Sequence, residues 1–135
     1  MWVEEKILLK ASPEKVFDIY TNVEGWCEWD ADVKISSISG EFQKGVEGVL
    51  TPLKGPKAKF TLVEVTLNQS FSTETKLPLC CMRFEHKLRP YGEFTEVTHR
   101  VGFTGALSFI WEKLIGSQIK HGLPHALSGL KKICE

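Results

Sequence analysis

Residues 107–135 read LSFIWEKLIGSQIKHGLPHALSGLKKICE, and this stretch decides the fold. Leu107, Ile110, Trp111, Leu114, Ile115, Ile119, Leu123, Leu127, Leu130 and Ile133 recur at the three- and four-residue spacing of one helical face. Gly122-Leu123-Pro124 interrupts the stripe. Proline removes one backbone hydrogen bond and crowds the turn before it, so a kink near Lys120–Leu123 is expected. Just upstream, Thr95–Phe103 has the character of a strand. A long helix placed last, after enough strand to curl around it, predicts a sheet that grips the helix with a space between them. Such a space suits a small apolar molecule.

The rest of the chain supplies that sheet. Trp2 to Lys10 reads as a first strand. Ser12-Pro13-Glu14-Lys15 then opens a helix: Ser12 can cap, Pro13 suits the first turn and Glu14 favours the positive end of the dipole. Val16, Phe17, Ile19 and Tyr20 give it a buried face, and Asn22 is placed to cap a second short helix through Val23-Glu24-Gly25-Trp26. Strands are expected at 32–39, 46–53, 57–67, 70–77, 80–89 and 94–103, divided by Gly40, Gly45, Gly55-Pro56, Asn68 and Pro90-Tyr91-Gly92. No connection between them is long enough for a helical crossover, so the sheet should be largely antiparallel and the class α+β.

Alternation fixes the faces of the last two strands. Cys80, Met82, Phe84, His86 and Leu88 share one face, with Arg83, Glu85, Lys87 and Arg89 opposite. Val97, His99, Val101 and Phe103 point inward from the next strand, leaving Arg100 on the wet face. A hairpin tip at Tyr91-Gly92 sets Phe84 opposite His99 and His86 opposite Val97. The two histidines would then be diagonal neighbours, about 7–8 Å apart.

Composition narrows the function classes. A chain of 135 residues suits one domain, 1–135, and 42% hydrophobic with 25% charged residues argues against disorder. Lys plus Arg equals Asp plus Glu at 17 each, so the basic surplus of a nucleic-acid binder is missing. Trp2-Val3-Glu4-Glu5-Lys6 lacks the basic start and apolar run of a secretion signal, and no apolar run approaches the roughly 20 residues of a membrane span. Cys27, Cys80, Cys81 and Cys134 show no metal spacing, and neighbours such as Cys80-Cys81 point to opposite faces of a strand. They read as reduced thiols of a cytoplasmic protein.

The order of elements, with Ala11-Ser12-Pro13-Glu14-Lys15-Val16-Phe17 after the first strand, resembles the START-like helix-grip superfamily (SRPBCC) in its polyketide cyclase/dehydrase-like branch. Asn22-Val23-Glu24-Gly25-Trp26-Cys27-Glu28-Trp29, the Gly45-Val46-Glu47-Gly48 pair, Val63-Glu64-Val65 and the terminal Leu127-Ser128-Gly129-Leu130-Lys131 carry the same resemblance, which covers essentially the whole chain. It implies a seven-stranded sheet around the long helix and a cavity for lipids, sterols, polyketides or hormones. The superfamily also holds enzymes, lipid-transfer proteins and co-chaperone domains, so fold does not fix function. Gly116, Gly122, Pro124 and Gly129 depart from its pattern by making the terminal helix unusually interrupted.

His86 and His99 are the candidate acid and base, because imidazole titrates near neutral pH unaided. The competing role is that of core histidines satisfied by backbone carbonyls, and no third residue suggests a metal. Trp26 and Trp29 share a helical face and can stack on a ring or plug the sheet's end. Phe84, Phe103 and Trp111 complete the expected ligand-binding set. Asp30 and Asp32 read as solvated, and Glu64 as exposed unless its strand turns it inward. No nucleophile constellation, phosphate loop or cofactor signature is present. Three functions follow: a binder of a small hydrophobic or aromatic molecule, a cyclase or dehydratase using His86 or His99, and a protein-interaction module with a filled core.

Overall fold

The structure is a computed structural model that describes residues 2–135. Strand β1 spans Trp2–Leu9, helix α1 Pro13–Thr21, and a 3₁₀ helix Val23–Glu28. Strands β2 (Val33–Ile38), β3 (Glu47–Pro52), β4 (Ala58–Thr66), β5 (Ser70–Leu77), β6 (Cys80–Tyr91) and β7 (Phe94–Thr104) follow, and α2 (Ser108–Cys134) ends the chain. The seven strands form one antiparallel sheet in the order β1-β7-β6-β5-β4-β3-β2. They curl as a half-barrel about α2, as the sequence predicts.

Local chemistry sets the first helix. Ser12 Oγ accepts the Lys15 N–H at 3.2 Å, Pro13 takes the first turn, and Val16, Phe17 and Tyr20 are buried. Asn22 occupies the cap position of the 3₁₀ helix, but its side chain makes no capping bond.

The register of β6 and β7 differs from the expected one. Strand β6 runs on through Pro90 and Tyr91, and Gly92-Glu93 is the tip. Arg89 therefore faces Glu96, Phe84 faces Val101, and His86 lies directly across from His99. The slip is by two residues, so every side chain keeps its face. Beyond Lys87, β6 has no β5 partner, which leaves room for a proline that cannot donate.

Helix α2 packs on β1, β7 and β6, whereas the 3₁₀ helix packs on β2. Two apolar clusters result. One gathers α1, the 3₁₀ helix, the middle strands and the end of α2 around Tyr20, Phe71 and Leu127. The other holds Cys80, Val101, Phe103 and Leu123 under the first half of α2. The seam between them is bridged by the segment Trp29–Asp32.

Helix α2 runs as one helix from Ser108 to Cys134 with the exposed Pro124 inside it, where the missing N–H leaves one backbone bond unmade. Its glycines have a packing role. A Cβ on Gly129 would collide with the Trp29 carbonyl oxygen, and one on Gly122 would meet Asp32 Oδ2 at 2.5 Å. Gly122 and Gly129 lie about two turns apart on one face: the Trp29 backbone rests on the helix at Gly129, and the Asp32 carboxylate lies against it at Gly122. Gly116, by contrast, faces open space.

Opposite outcomes are expected for the two substitutions. Gly129→Ala should lower unfolding stability by about 1–3 kcal/mol, because backbone must move. Gly116→Ala should raise it by about 0.5–1 kcal/mol through helix propensity. Denaturant midpoints of the two variants check both signs.

Candidate functional site

Cross-strand pairing brings an aromatic column together. Phe71 on β5 faces His86 on β6, and Phe84 precedes His86 by two residues on the same face. The His86 ring is sandwiched between them, its centroid 3.9 Å from Phe71 and 4.3 Å from Phe84 with nearly parallel planes. His99 closes edge-on at 4.6 Å. From α1, Tyr20 reaches into the same group and touches Phe71, His86 and His99.

The hydrogen bonds assign the protons. His86 Nδ1 lies 3.2 Å from the Phe71 carbonyl oxygen. A carbonyl only accepts, so Nδ1 carries the hydrogen and Nε2 is left as an acceptor. Tyr20 Oη and His99 Nε2 are 2.8 Å apart, and His99 Nδ1 is buried without a partner. If tyrosine donates, one ring N–H stays unsatisfied. The reverse leaves both the phenol hydrogen and the Nδ1 lone pair unmet, so the phenol is the donor.

Neither imidazole is a neutral-pH acid. Burial, and then the neighbouring His99, hold His86 well below the usual histidine range. Burial alone takes His99 down to about 3. Burial likewise keeps the Tyr20 phenol protonated, its tendency to ionise further opposed by Cys134. Burial therefore favours the uncharged form of both rings at neutral pH.

The seam between the two clusters holds a two-lobed cavity. The inner lobe, about 140 Å³, is walled by Trp26, Trp29, Phe60, Phe84 and His86, with Thr73 and Thr75 adding hydroxyls. The outer lobe, about 220 Å³, opens toward α2 between Val101, Ile119, Leu123 and Ala126. Asp30, Val33, Leu50, Met82 and Phe84 belong to both walls. Trp26 is fixed by an Nε1 hydrogen bond to the Tyr20 carbonyl oxygen at 2.9 Å and by stacking on Phe60 and Phe71. Trp29 packs against Tyr20 and His99.

Four of the expected ligand-contact residues, Trp26, Trp29, Phe84 and His86, meet at the inner lobe. His99 is fully buried behind that wall. Phe103 and Trp111 lie with the other cluster, where Trp111 Nε1 donates to the Pro78 carbonyl oxygen at 3.1 Å. Glu64 is half-buried at a β-bulge and accepts hydrogen bonds from Thr66, Ser70 and Ser72. Arg83 and Arg100 sit on the outer face, where both approach Glu85.

Asp30 is the correction that matters most. Expected in solvent, it is half-buried between the lobes. Burial is the first cause that pushes its carboxyl up to about 6; the Asp32 N–H, donated to Oδ1 at 3.0 Å, opposes the rise and the Asp32 charge adds to it. Asp32 itself is exposed. Among the described residues no group of His, Cys, Asp and Glu is arranged to hold a metal. No helix there is long and apolar enough to cross a membrane.

The imidazoles make stability pH-dependent. Unfolded histidine takes up a proton near 6.5, whereas His99 resists until about 3, so this stability is full above about pH 6.5 and falls as pH drops. Each buried ring should cost about 1 kcal/mol per pH unit below about 6.5. Asp30 works in the opposite sense: its raised carboxyl adds stability at low pH that is lost as pH rises through about 6. Being one half-buried group against two buried rings, it should not reverse the slope. Denaturation at several pH values should show His99→Gln, which keeps an acceptor for Tyr20, roughly halving the acid loss. An unchanged slope would mean that His99 is protonated in the fold.

No curated protein sequence matches the chain. Among solved structures, TTHA0849 from Thermus thermophilus is 15% identical, with a TM-score of 0.76 over 98% of this chain and 95% of that one. The Aha1 dimer from Colwellia psychrerythraea is 18% identical, with a TM-score of 0.76 over 100% of this chain and 96% of that one. DynU16, a protein in the dynemicin biosynthetic locus, is 14% identical, with a TM-score of 0.74; the match covers 97% of this chain and 46% of that one. At such identities the likeness is one of fold. The family described as "Polyketide cyclase / dehydrase and lipid transport" matches residues 2–135, and the chain belongs to it.

Proposed function

We propose that the chain is a single-domain, cytoplasmic binder of one small, largely apolar, ring-containing molecule. The observation that carries this reading is the two-lobed apolar cavity at the seam between sheet and α2. Ligand affinity would come from burial: at about 25 cal/mol per Å², hiding roughly 300 Å² of ligand gives about 7 kcal/mol before ordering costs. In this reading Trp26, Trp29 and Phe84 receive the ring and His86 Nε2 accepts a hydrogen bond from it. His99 supports the wall by holding Tyr20, while Phe103 and Trp111 fix the first half of α2.

The second reading is a cyclase- or dehydratase-type enzyme. Asp30 favours it, being a carboxyl at an apolar wall with a pKa of about 6, where it can exchange a proton at neutral pH. The neutral histidines would then only orient the substrate. A module with a filled core, the third function expected from the sequence, is harder to square with a cavity of this size.

An amide NMR titration with fatty acids, sterols and aromatic polyketides tests the binder. Shifts should cluster at Val33, Leu50, Met82, Phe84 and Ile119. Ala126→Phe, which fills the outer lobe, should weaken binding by at least ten-fold for a loss in fold stability of about 1–3 kcal/mol. Shifts confined to the outer sheet face, or binding indifferent to Ala126→Phe, would place the ligand elsewhere. Turnover of a bound polyketide that disappears in Asp30→Asn would favour the enzyme.

A further inference from the structure

We propose that the molecule this cavity is built for is an arylalkyl amine, bound as a cation by Asp30 with its ring in the inner lobe. The inference rests on the cavity reading above and gives it a chemical class.

Two polar groups at the inner lobe, on Asp30 and His86, are free to accept, while Trp29 on the same wall carries a buried, unpaired Nε1–H donor. Asp30 Oδ1 takes the Asp32 N–H, while Oδ2 receives no hydrogen bond and, among the described residues, neither Asp30 nor Asp32 is in an ion pair. His86 is 5% exposed, and with Nδ1 committed to the Phe71 carbonyl oxygen its remaining Nε2 can only accept. Among the described residues, the titratable groups lining the two lobes are Asp30, Asp32 and His86, and no protein cation joins them. Helix α2 brings Gln118, Ile119, Gly122, Leu123 and Ala126 to the wall, and β3 brings Leu50 and Pro52, so neither contributes a charge.

An ionised carboxylate at an apolar wall needs a compensating charge or a proton. The upward displacement of Asp30 records that need. A neutral hydroxyl would satisfy one lone pair but not the charge. An anion would be repelled by both Asp30 and Asp32. An ammonium supplies the missing charge and several N–H donors, enough for Oδ2 and for a second acceptor such as His86 Nε2. The rest of the inner lobe is ring-lined by Trp26, Trp29, Phe60 and Phe84, which suits an aryl group, and the aromatic faces add attraction for a cation.

Three matched probes test this: naphthylmethylamine, naphthylmethanol and naphthoic acid, titrated into the full chain and followed by amide NMR. At about pH 7.5 the amine should bind at least about ten-fold tighter than the alcohol, with the acid weakest. Lowering the pH to about 5 protonates most of Asp30 and should weaken the amine about ten-fold while leaving the alcohol unchanged. Asp30→Asn should erase the amine's advantage and spare the alcohol; the pH pair on the unaltered protein stands even if that variant does not fold. Equal binding of amine and alcohol, or amine affinity indifferent to pH, overturns the proposal and leaves the cavity reading in place. Failure of all three probes to shift the cavity amides overturns both.

Discussion

Everything at the site depends on how the Trp29–Asp32 backbone meets α2. That helix packs on β1, β7 and β6, the 3₁₀ helix packs on β2, and this short segment, which leads out of the 3₁₀ helix, touches α2 at Gly122 and Gly129. It lies close because Gly122 and Gly129 present no side chain there. A side chain at Gly129 would push back the Trp29 backbone, and with it the neighbouring Asp30 on the cavity wall. A backbone contact without side-chain slack therefore sets the position of the least typical carboxyl in the protein.

The second constraint is the satisfaction of polar groups inside an apolar shell. Tyr20, His86 and His99 share two hydrogen bonds and leave one imidazole nitrogen unmet. Trp29 Nε1 is likewise buried without a partner. Unmet groups of this kind each cost about 1–3 kcal/mol, a sizeable share of a small domain's stability. Two of them lie on residues around the cavity; a third, Arg100 Nε, sits on the outer face, 3.4 Å from Glu85 but without a hydrogen bond.

The fold was legible because it follows from alternation and order. Cys80, Met82, Phe84, His86 and Leu88 alternate cleanly, and the terminal stripe is long, so strand faces and the gripping helix could be read directly. The register of β6 and β7 could not, since Pro90 reads as a turn residue unless one knows that β5 has already ended beside it. The family resemblance was visible for the same reason as the fold: the order of elements survives where individual motifs are weak.

The site was only half legible. Trp26, Trp29, Phe84 and His86 announced themselves as large or titratable residues on inward faces. Asp30 did not, because a carboxylate beside Ala31 and Asp32 reads as solvated and its burial is imposed from α2. The only trace of that in the chain was the pair of helical glycines, which look like interruptions until the segment they receive is known. Tyr20 was read as core, but a buried phenol must find a partner, and His99 was the acceptor available to it.

The sandwich of His86 between Phe71 and Phe84 has one more consequence. Both flanking rings are nearly parallel to the imidazole and lie within stacking distance, so their circulating electrons shield the His86 carbon-bound protons from above and below. Ring-current shielding of this kind should set those resonances apart from the signals of the exposed His121 and His125. The stack thus gives the protein an internal magnetic reporter, standing at the cavity wall and responding to any tilt of either ring.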